Sequence, residues 1–365
     1  MKKFVCPYCL GTHSLSTCNV KCSYDSPLGT SCVNGVVRDE NGNIPDKRKA
    51  YCMRCKHARR SVFCPELGKE LPLRCLTSTV LPIVLVGARG SGRSSYLAAA
   101  IRELRKSSAA FSLRIDTNAV AGTAEAYNRD YGGPLDNGIT LKATATEGET
   151  LPLIYPVSFE KTRRDAVVSF YDTAGDGLCS EESVEINKRC LSAAGGIVLV
   201  LDPLRINSVR QRLFGKVALP PVSDDARRVL EGIISTIIRQ NDRRPGRPID
   251  IPLAITFTKL DLLISHGIID RNGAAAGEGS HMSKGAFACS DADEVRRELS
   301  ALAEEYFDDE MLAYLACFKR KEIFAVSALG SDPVKGRLIS PVAPRRVLDP
   351  LLWIFAEKGF VKKVK

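Results

Sequence analysis

No apolar run in the 365 residues approaches the roughly 18–20 consecutive residues of a membrane span, so none is expected. The first residues, Met1-Lys2-Lys3-Phe4-Val5-Cys6-Pro7, lack the apolar core of a secretory signal, and a cytoplasmic location is the expectation. Aromatic residues are sparse at 7%, with a single tryptophan, Trp353, which reads as core or rim packing. Histidine is scarcer still, at four residues; His281, next to Met282, has no spaced partners and reads as a loop residue rather than a ligand. Charge of one sign is missing from the middle of the chain. The net charge of +10 gathers in residues 1–75, with 13 Lys and Arg against 6 Asp and Glu, and in residues 345–365, with 6 against 2. Such ends suit nucleic acid or an acidic partner, but each tetrathiolate zinc centre would carry formal charge −2, so a solvated basic face is the simpler reading.

Cysteine is plentiful and uneven. Nine of 13 precede Thr77: Cys6, Cys9, Cys18, Cys22, Cys32, Cys52, Cys55, Cys64 and Cys75. In a cytosolic chain this clustering points to metal binding more than to disulfides. Cys6-Pro7-Tyr8-Cys9 is a CxxC knuckle that Cys22 and Cys32 could close into a four-thiolate site, with Cys18 and His13 to spare. A second knuckle, Cys52-Met53-Arg54-Cys55, is followed by Cys64, with His57 or Cys75 as fourth ligand; a full ribbon would place cysteine at Leu67. Two zinc ions in structural sites are expected, because zinc favours closed four-coordinate thiolate and imidazole shells and supplies folding energy to short ribbons.

The chain is otherwise organised around Ile83-Val84-Leu85-Val86-Gly87-Ala88-Arg89-Gly90-Ser91-Gly92-Arg93-Ser94-Ser95: a buried strand, a glycine-rich turn, then a helix over about 94–106. A phosphate-binding loop needs that order. Gly87, Gly90 and Gly92 let the backbone approach closely and turn its N–H groups inward, and the helix N-terminus adds partial positive charge.

Further motifs end further strands. Leu151–Glu160 and Ala166–Tyr171 alternate as a hairpin, running into Asp172-Thr173-Ala174-Gly175-Asp176. Asp172 can hold magnesium through water, and the Gly175 N–H can meet a γ-phosphate. Gly196–Leu201 is a buried strand, with an amphipathic helix at 225–239 after it. Pro252–Phe257 runs into Thr258-Lys259-Leu260-Asp261, where the Asp261 carboxylate can accept from guanine N1–H and N2–H2; Lys259 can cover the base, and Thr258 can tie this loop to the phosphate loop. Ile323–Val326 leads to Ser327-Ala328-Leu329, placing the Ala328 N–H to face guanine O6. Asn118–Tyr131 suits a helix ended by Gly132-Gly133-Pro134, and Gly267–Ser290 reads as a mobile insertion.

With these motifs in this order the chain resembles the Ras-like GTPases of the translation-factor-related (TRAFAC) P-loop class over roughly residues 80–360. Its cysteine knuckles, Val326-Ser327-Ala328-Leu329-Gly330 and Val347–Trp353 are similar to the bacterial double-GTPase family. The resemblance implies an α/β P-loop NTPase, a mostly parallel sheet with helices on both faces, preceded by a small cysteine-rich zinc-ribbon module. The expected division is a double zinc-ribbon-like module at 1–75 and a GTPase domain at 78–365, with insertions at about 107–139 and 267–290. Carried over by position, Gly87, Arg89, Gly90, Ser91, Gly92, Arg93, Ser94 and Ser95 would surround the phosphates of GTP or GDP. Ser94 and Asp172 would serve Mg2+, and Thr258, Lys259, Asp261, Ser327, Ala328 and Leu329 would read guanine. The switch threonine is open among Thr140, Thr144 and Thr146, with Thr144 favoured. Two letters depart from the pattern. Arg93 stands in place of lysine, exchanging a compact ammonium for a broad fork. Asp176 stands where a water-orienting glutamine is common.

Slow GTP hydrolysis stimulated by a protein partner (another GTPase or an effector) or by homo-oligomerisation is the resulting expectation. The zinc module would act as an adaptor in a bacterial conflict or signalling system. The alternatives are a non-hydrolysing guanine-nucleotide assembly module and a zinc-ribbon nucleic-acid binder with a GTPase attached.

Overall fold

The computed structural model describes residues 3–24, 32–38, 51–52, 54–56, 60–120, 122–141, 151–173, 189–221, 225–240 and 248–365. The N-terminal part is built of short strands: β1 (Lys3–Val5), β2 (Thr12–Ser14), β3 (Asn19–Tyr24), β4 (Cys32–Arg38), β5 (Tyr51–Cys52), β6 (Arg60–Phe63) and β7 (Glu70–Leu71). β1 and β2 form an antiparallel pair, and the rest form a sheet in the order β5-β4-β3-β6-β7.

The body is a seven-stranded sheet of β8 (Thr79–Val86), β9 (Leu113–Ile115), β10 (Leu153–Phe159), β11 (Arg164–Asp172), β12 (Gly196–Leu201), β13 (Leu253–Phe257) and β15 (Lys321–Ala325), in the order β15-β13-β12-β8-β11-β10-β9. β15, β13, β12, β8 and β11 run parallel, and β10 and β9 continue the sheet antiparallel. Strands covered on both faces need continuous apolar sequence. Accordingly every residue of β12 is buried, as are the last six of β8. One core cluster gathers around the Arg93–Lys106 and Asp349–Glu357 helices, the other around Asp225–Gln240 and Cys289–Tyr306, so helices cover both faces. In Asp225–Gln240, Val229, Leu230, Ile233 and Ile237 keep one apolar stripe buried. A two-stranded parallel pair, β14 (Phe287–Ala288) with β16 (Lys363–Val364), completes the body.

The register places Val86, Asp172, Leu201, Phe257 and Ala325 along one carboxyl edge. Chain order reverses at β8, which lies between β11 and β12; in an open α/β sheet that switch point is where a ligand-binding crevice forms.

Two expectations are corrected. The helix begun at Thr123–Tyr127 does not stop at Gly132-Gly133-Pro134: it widens into a π turn at Asn128–Gly132 and resumes at Gly133–Asp136. Pro134 falls in the first turn of the new helix, where its missing N–H removes no bond. Gly267–Ser290 is packed: Ala275, Ala276 and His281 are buried in it, and Arg345 and Arg346 bond its carbonyls at Ala276 and Ala274.

Candidate nucleotide site and metal centres

The glycine-rich loop leaves β8 at Gly87, which passes so close to β12 that a Cβ there would lie 2.3 Å from the Val200 carbonyl oxygen. Gly90 and Gly92 occupy left-handed backbone (φ +77° and +93°), and the helix opens immediately at Arg93. Ser91 is buried, and among the described residues its Oγ has no hydrogen-bond partner. Ser94 Oγ donates to Asp172 Oδ2 at 2.6 Å, joining the helix start to the end of β11. Arg93 is buried and folded over the loop: Nη1 donates to the carbonyls of Gly87 (2.8 Å) and Thr173, and Nε lies 3.6 Å from Asp172 Oδ1. A guanidinium can bind both carbonyls and keep its charge beside the carboxylate, an arrangement a three-donor ammonium matches less well.

The residues expected to read a base converge at the same edge. Buried Thr258 donates from Oγ1 to Ser91 O (2.7 Å) and to Leu201 O (3.1 Å), so the phosphate loop and the Thr258–Asp261 loop are bonded directly. Ser327 Oγ donates to Asp261 Oδ1 at 2.7 Å and accepts from the Gly330 N–H, which fixes the carboxylate's orientation. Lys259 (φ +56°) donates from Nζ to Asp202 Oδ2 at 2.7 Å. Asp202, buried at the end of β12, also accepts from the Leu204 N–H, so it positions the lysine stem. Gly175, Asp176, Thr144 and Thr146 lie outside the described residues.

Three features escape the sequence motifs. Tyr131, from the 107–139 insertion, is buried beside Asp172; burial first and the Asp172 charge next push its hydroxyl up. Asp332 stands near Asp261, its carboxyl raised by burial and then by that neighbouring charge. Finally, the chain after Leu329 forms a strap. It returns to pair Arg345 with Ser327, and its turn at Val334–Arg337 reaches the stretch before residue 142. There Thr140 N–H and Oγ1 bond Gly336 O at 3.0 and 3.1 Å, and Leu338 N–H bonds Gly138 O at 2.9 Å. Thr140 therefore has a structural partner already. No short motif encodes this pairing, because its partners are almost 200 residues apart.

Behind the strap lies a buried ionic cluster. Arg346 bonds Asp291 (2.9 and 3.1 Å), Asp349 (2.7 Å) and the Ala274 carbonyl (2.7 and 3.1 Å). His281 Nε2 lies 3.2 Å from Asp291 and 3.6 Å from Asp349, while its Nδ1 accepts from the Ala288 N–H. His281 is thus a packed residue stacked on Phe287, contrary to its loop reading. The guanidinium already fills the space between the carboxylates, so the cluster is a clamp rather than a cation site.

The cysteines group differently from their order in the chain. One centre is Cys6, Cys9, His13 and Cys64; the other is Cys22, Cys32, Cys52 and Cys55; in each the ligand atoms lie within 4.8 Å of one another. This corrects the expected sets, Cys6-Cys9-Cys22-Cys32 and Cys52-Cys55-Cys64. Pairing decides it: β3 and β4 carry Cys22 and Cys32, β4 pairs Val37 with Cys52, and the β6–β7 hairpin delivers Cys64 to Cys9. Cys75 is buried outside both centres, and His57 lies outside the described residues. Three knuckle turns share one geometry. The N–H groups of Leu10, Lys56 and Gly68 bond the carbonyls of Cys6, Cys52 and Cys64, and all three residues are left-handed (φ 58°, 60° and 63°). Backbone N–H groups of Tyr8, Arg54 and Leu67 meet Sγ of the same cysteines at 3.4 Å. Cys64–Gly68 is therefore a complete knuckle with a single sulfur, and Gly68 was its one legible sign. The Cys9 thiol is held down to about 5 by its hydrogen bond with Cys6, against burial and with help from His13. At Cys52 burial pushes upward, but the backbone N–H groups of Cys55 and Arg54 bring the thiol to about 7. One thiol in each centre is thus drawn toward thiolate, while the Cys9 hydrogen bond and burial push Cys6 up and burial pushes Cys64 and Cys32 up, a cost that a bound cation would offset.

Among the described residues no helix is long and apolar enough to cross a membrane. No protein-family model matches the chain. It is 26% identical over 345 residues to a Mycolicibacterium smegmatis protein, SaeC, described as a proposed ESX-1 scaffolding and assembly protein; the match covers 88% of this chain and 86% of that one. Among solved structures, the Arl6 (BBS3) small GTPase of Trypanosoma brucei with a bound GppNp aligns at 11% identity and TM-score 0.31, over 77% of this chain and 98% of that chain. The Ski7 GTPase-like domain of S. cerevisiae bound to GTP aligns at 13% identity and TM-score 0.33, over 78% and 51%.

Proposed function

We propose that the chain is a guanine-nucleotide-binding switch that hydrolyses GTP slowly, with a zinc-holding N-terminal module through which it engages a protein partner. The observation that carries the reading is the pair of hydrogen bonds joining the three loops at the carboxyl edge. Thr258 Oγ1 binds Ser91 O, and Ser327 Oγ binds Asp261 Oδ1, so the phosphate loop is tied to Thr258, and Asp261 to Ser327, at one edge of the sheet. Ser94 and Asp172 would hold Mg2+, which when bound neutralises charge on the phosphate oxygens. Within the site, Asp261 would accept from the guanine ring, and Ser327 keeps that carboxylate turned toward it. Gly87, Gly90 and Gly92 open the cradle, and Arg93 balances the charge of Asp172. Gly175 and Asp176 would follow as the γ-phosphate sensor and a carboxylate that slows hydrolysis. The two converging clusters, Cys6-Cys9-His13-Cys64 and Cys22-Cys32-Cys52-Cys55, would hold two zinc ions.

A non-hydrolysing assembly module is the second reading. It is favoured by the scaffolding and assembly role that the M. smegmatis protein's description carries, and by the engagement of Arg93 with backbone carbonyls. A bacterial conflict or signalling context and a cytoplasmic location remain part of the proposal.

Binding of GTP and ATP to the zinc-loaded chain, with Asp261→Asn as control, and single-turnover cleavage test these readings. Guanine-selective binding that Asp261→Asn weakens, with cleavage well below about 1 s⁻¹, supports the switch. Tight binding without cleavage supports the assembly module. Absence of any guanine preference overturns both.

A further inference from the structure

The Cys6–Cys9–His13–Cys64 centre grips both ends of the stretch that would sense the γ-phosphate. At its start, buried Tyr171, the residue before Asp172, donates its hydroxyl to the carbonyl of Pro7 at 2.7 Å, inside the Cys6–Cys9 knuckle. The same hydroxyl lies 3.4 Å from the Tyr8 carbonyl. At its end, Arg189 Nη1 reaches Glu66 Oε2 at 2.5 Å, and Glu66 Oε1 stands 3.7 Å from His13 Nε2. Pro7 lies between two ligands and Glu66 two residues after a third, so one coordination sphere sets the position of both anchors. Leu10, which closes the knuckle, packs in one apolar cluster with Tyr171, Val84 and Val86, the strand that feeds the phosphate loop. Asp172 in turn is bonded to Ser94 and faces Arg93. A continuous set of contacts therefore runs from the metal ligands through Tyr171 to the phosphate loop, without passing through solvent.

We propose that the ion held by Cys6, Cys9, His13 and Cys64 is a regulatory metal whose binding is coupled, through Tyr171 and Asp172, to the nucleotide at the phosphate loop. The inference rests on the guanine-nucleotide and zinc readings above and adds to them that the module acts on the switch itself. Coupling between two binding equilibria is reciprocal: if the γ-phosphate repositions Asp172 and Arg189, the affinity of this centre for zinc must change, and zinc must change nucleotide affinity by the same factor. The Cys22–Cys32–Cys52–Cys55 centre, held on β3, β4 and the Cys52 knuckle, serves as the internal comparison.

The test is an equilibrium competition for zinc between the full chain and a chromophoric chelator, with the protein loaded with GDP or a non-hydrolysable GTP analogue, each with Mg2+. One of the two bound ions should change affinity by about fivefold or more between the nucleotides, the lower end of usual coupling, while the other stays constant. Tyr171→Phe and the more exposed Arg189→Gln should each shrink the difference while two zinc ions remain bound. Hydrogen exchange across 172–189 should rise when the responsive ion is removed. Equal zinc affinities in both nucleotide states, or a difference that both variants leave intact, overturn the coupling while the binding readings stand. A chain that holds zinc but no guanine nucleotide overturns the functional reading and this inference together.

Discussion

Replacing Arg346 with methionine removes the cation from a deeply enclosed ionic cluster. The guanidinium side chain is 1% exposed, with Asp349 at 8% and Asp291 at 13%. Methionine keeps the stem volume, so the loss is electrostatic: two carboxylates are left facing each other across a space that water reaches poorly, and the Ala274 carbonyl keeps only its bond from the Gly277 N–H. Breaking a buried pair by removing one partner costs about 3–5 kcal/mol. We expect a destabilisation of about 4 kcal/mol at pH 7, seen as a lower denaturant midpoint with an unchanged slope.

The pH dependence sharpens the test. In the native chain burial pulls the Asp291 carboxyl upward, but the hydrogen bond and charge of Arg346 outweigh it and hold the group below the usual carboxylate range. A depressed carboxylate contributes stability above its unfolded pKa of about 3.9 and loses it as pH falls through the folded value. The native contribution should therefore be flat from pH 7 to about 5 and fall below about 4. In Arg346→Met the facing carboxylates gain by taking up a proton, so the variant's deficit should shrink between pH 7 and 5. Urea titrations at several pH values measure both trends. A deficit under about 1 kcal/mol at pH 7, or one that grows on acidification to pH 5, would refute the argument for a desolvated clamp.

Two other outcomes separate readings of the same residues. Paired cysteine substitutions should report which ligands share an ion: Cys6→Ser with Cys64→Ser should remove one zinc, and Cys6→Ser with Cys22→Ser should remove both, as measured by metal content of purified protein. The reverse pattern would restore the grouping by chain order. Replacing residues 332–341 with a two-glycine turn removes the three strap bonds at Gly138 and Thr140, and should speed release of a fluorescent GDP by about tenfold, equivalent to about 1.4 kcal/mol. An unchanged release rate would show that the strap plays no part in retaining nucleotide.

What was legible in the sequence was local and periodic. Ile83–Val86 and Gly196–Leu201 announce strands buried on both faces because no polar residue interrupts them. The glycine-rich turn, Asp172, Thr258–Asp261 and Ser327–Leu329 are legible because each is a few residues whose chemistry depends on immediate neighbours. Their shared edge follows once they all end parallel strands. The candidate cysteine ligands were legible as a set, with His13 only to spare, but not in their grouping. A CxxC pair states that two sulfurs converge, whereas the choice between Cys22 and Cys64 as companion depends on strand pairing and on a knuckle that keeps only one of its cysteines.

The remainder belongs to tertiary structure. Asp202 beneath Lys259, Tyr131 beside Asp172, the strap on Thr140 and the Arg346 clamp all join residues far apart in the chain, and no periodicity or spacing encodes such contacts. His281 shows the difference most clearly. A lone histidine in a glycine- and alanine-rich stretch carries no sign of burial. Only the fold, by bringing Asp291 and Asp349 to it around Arg346, turns that stretch into packed structure. Sequence alone placed the candidate motifs and the strand ends on which they lie. The tertiary structure decided which candidate metal ligands meet, and that the Cys6–Cys9 knuckle rests against Tyr171 of β11, because burial and desolvation are properties of the folded surroundings.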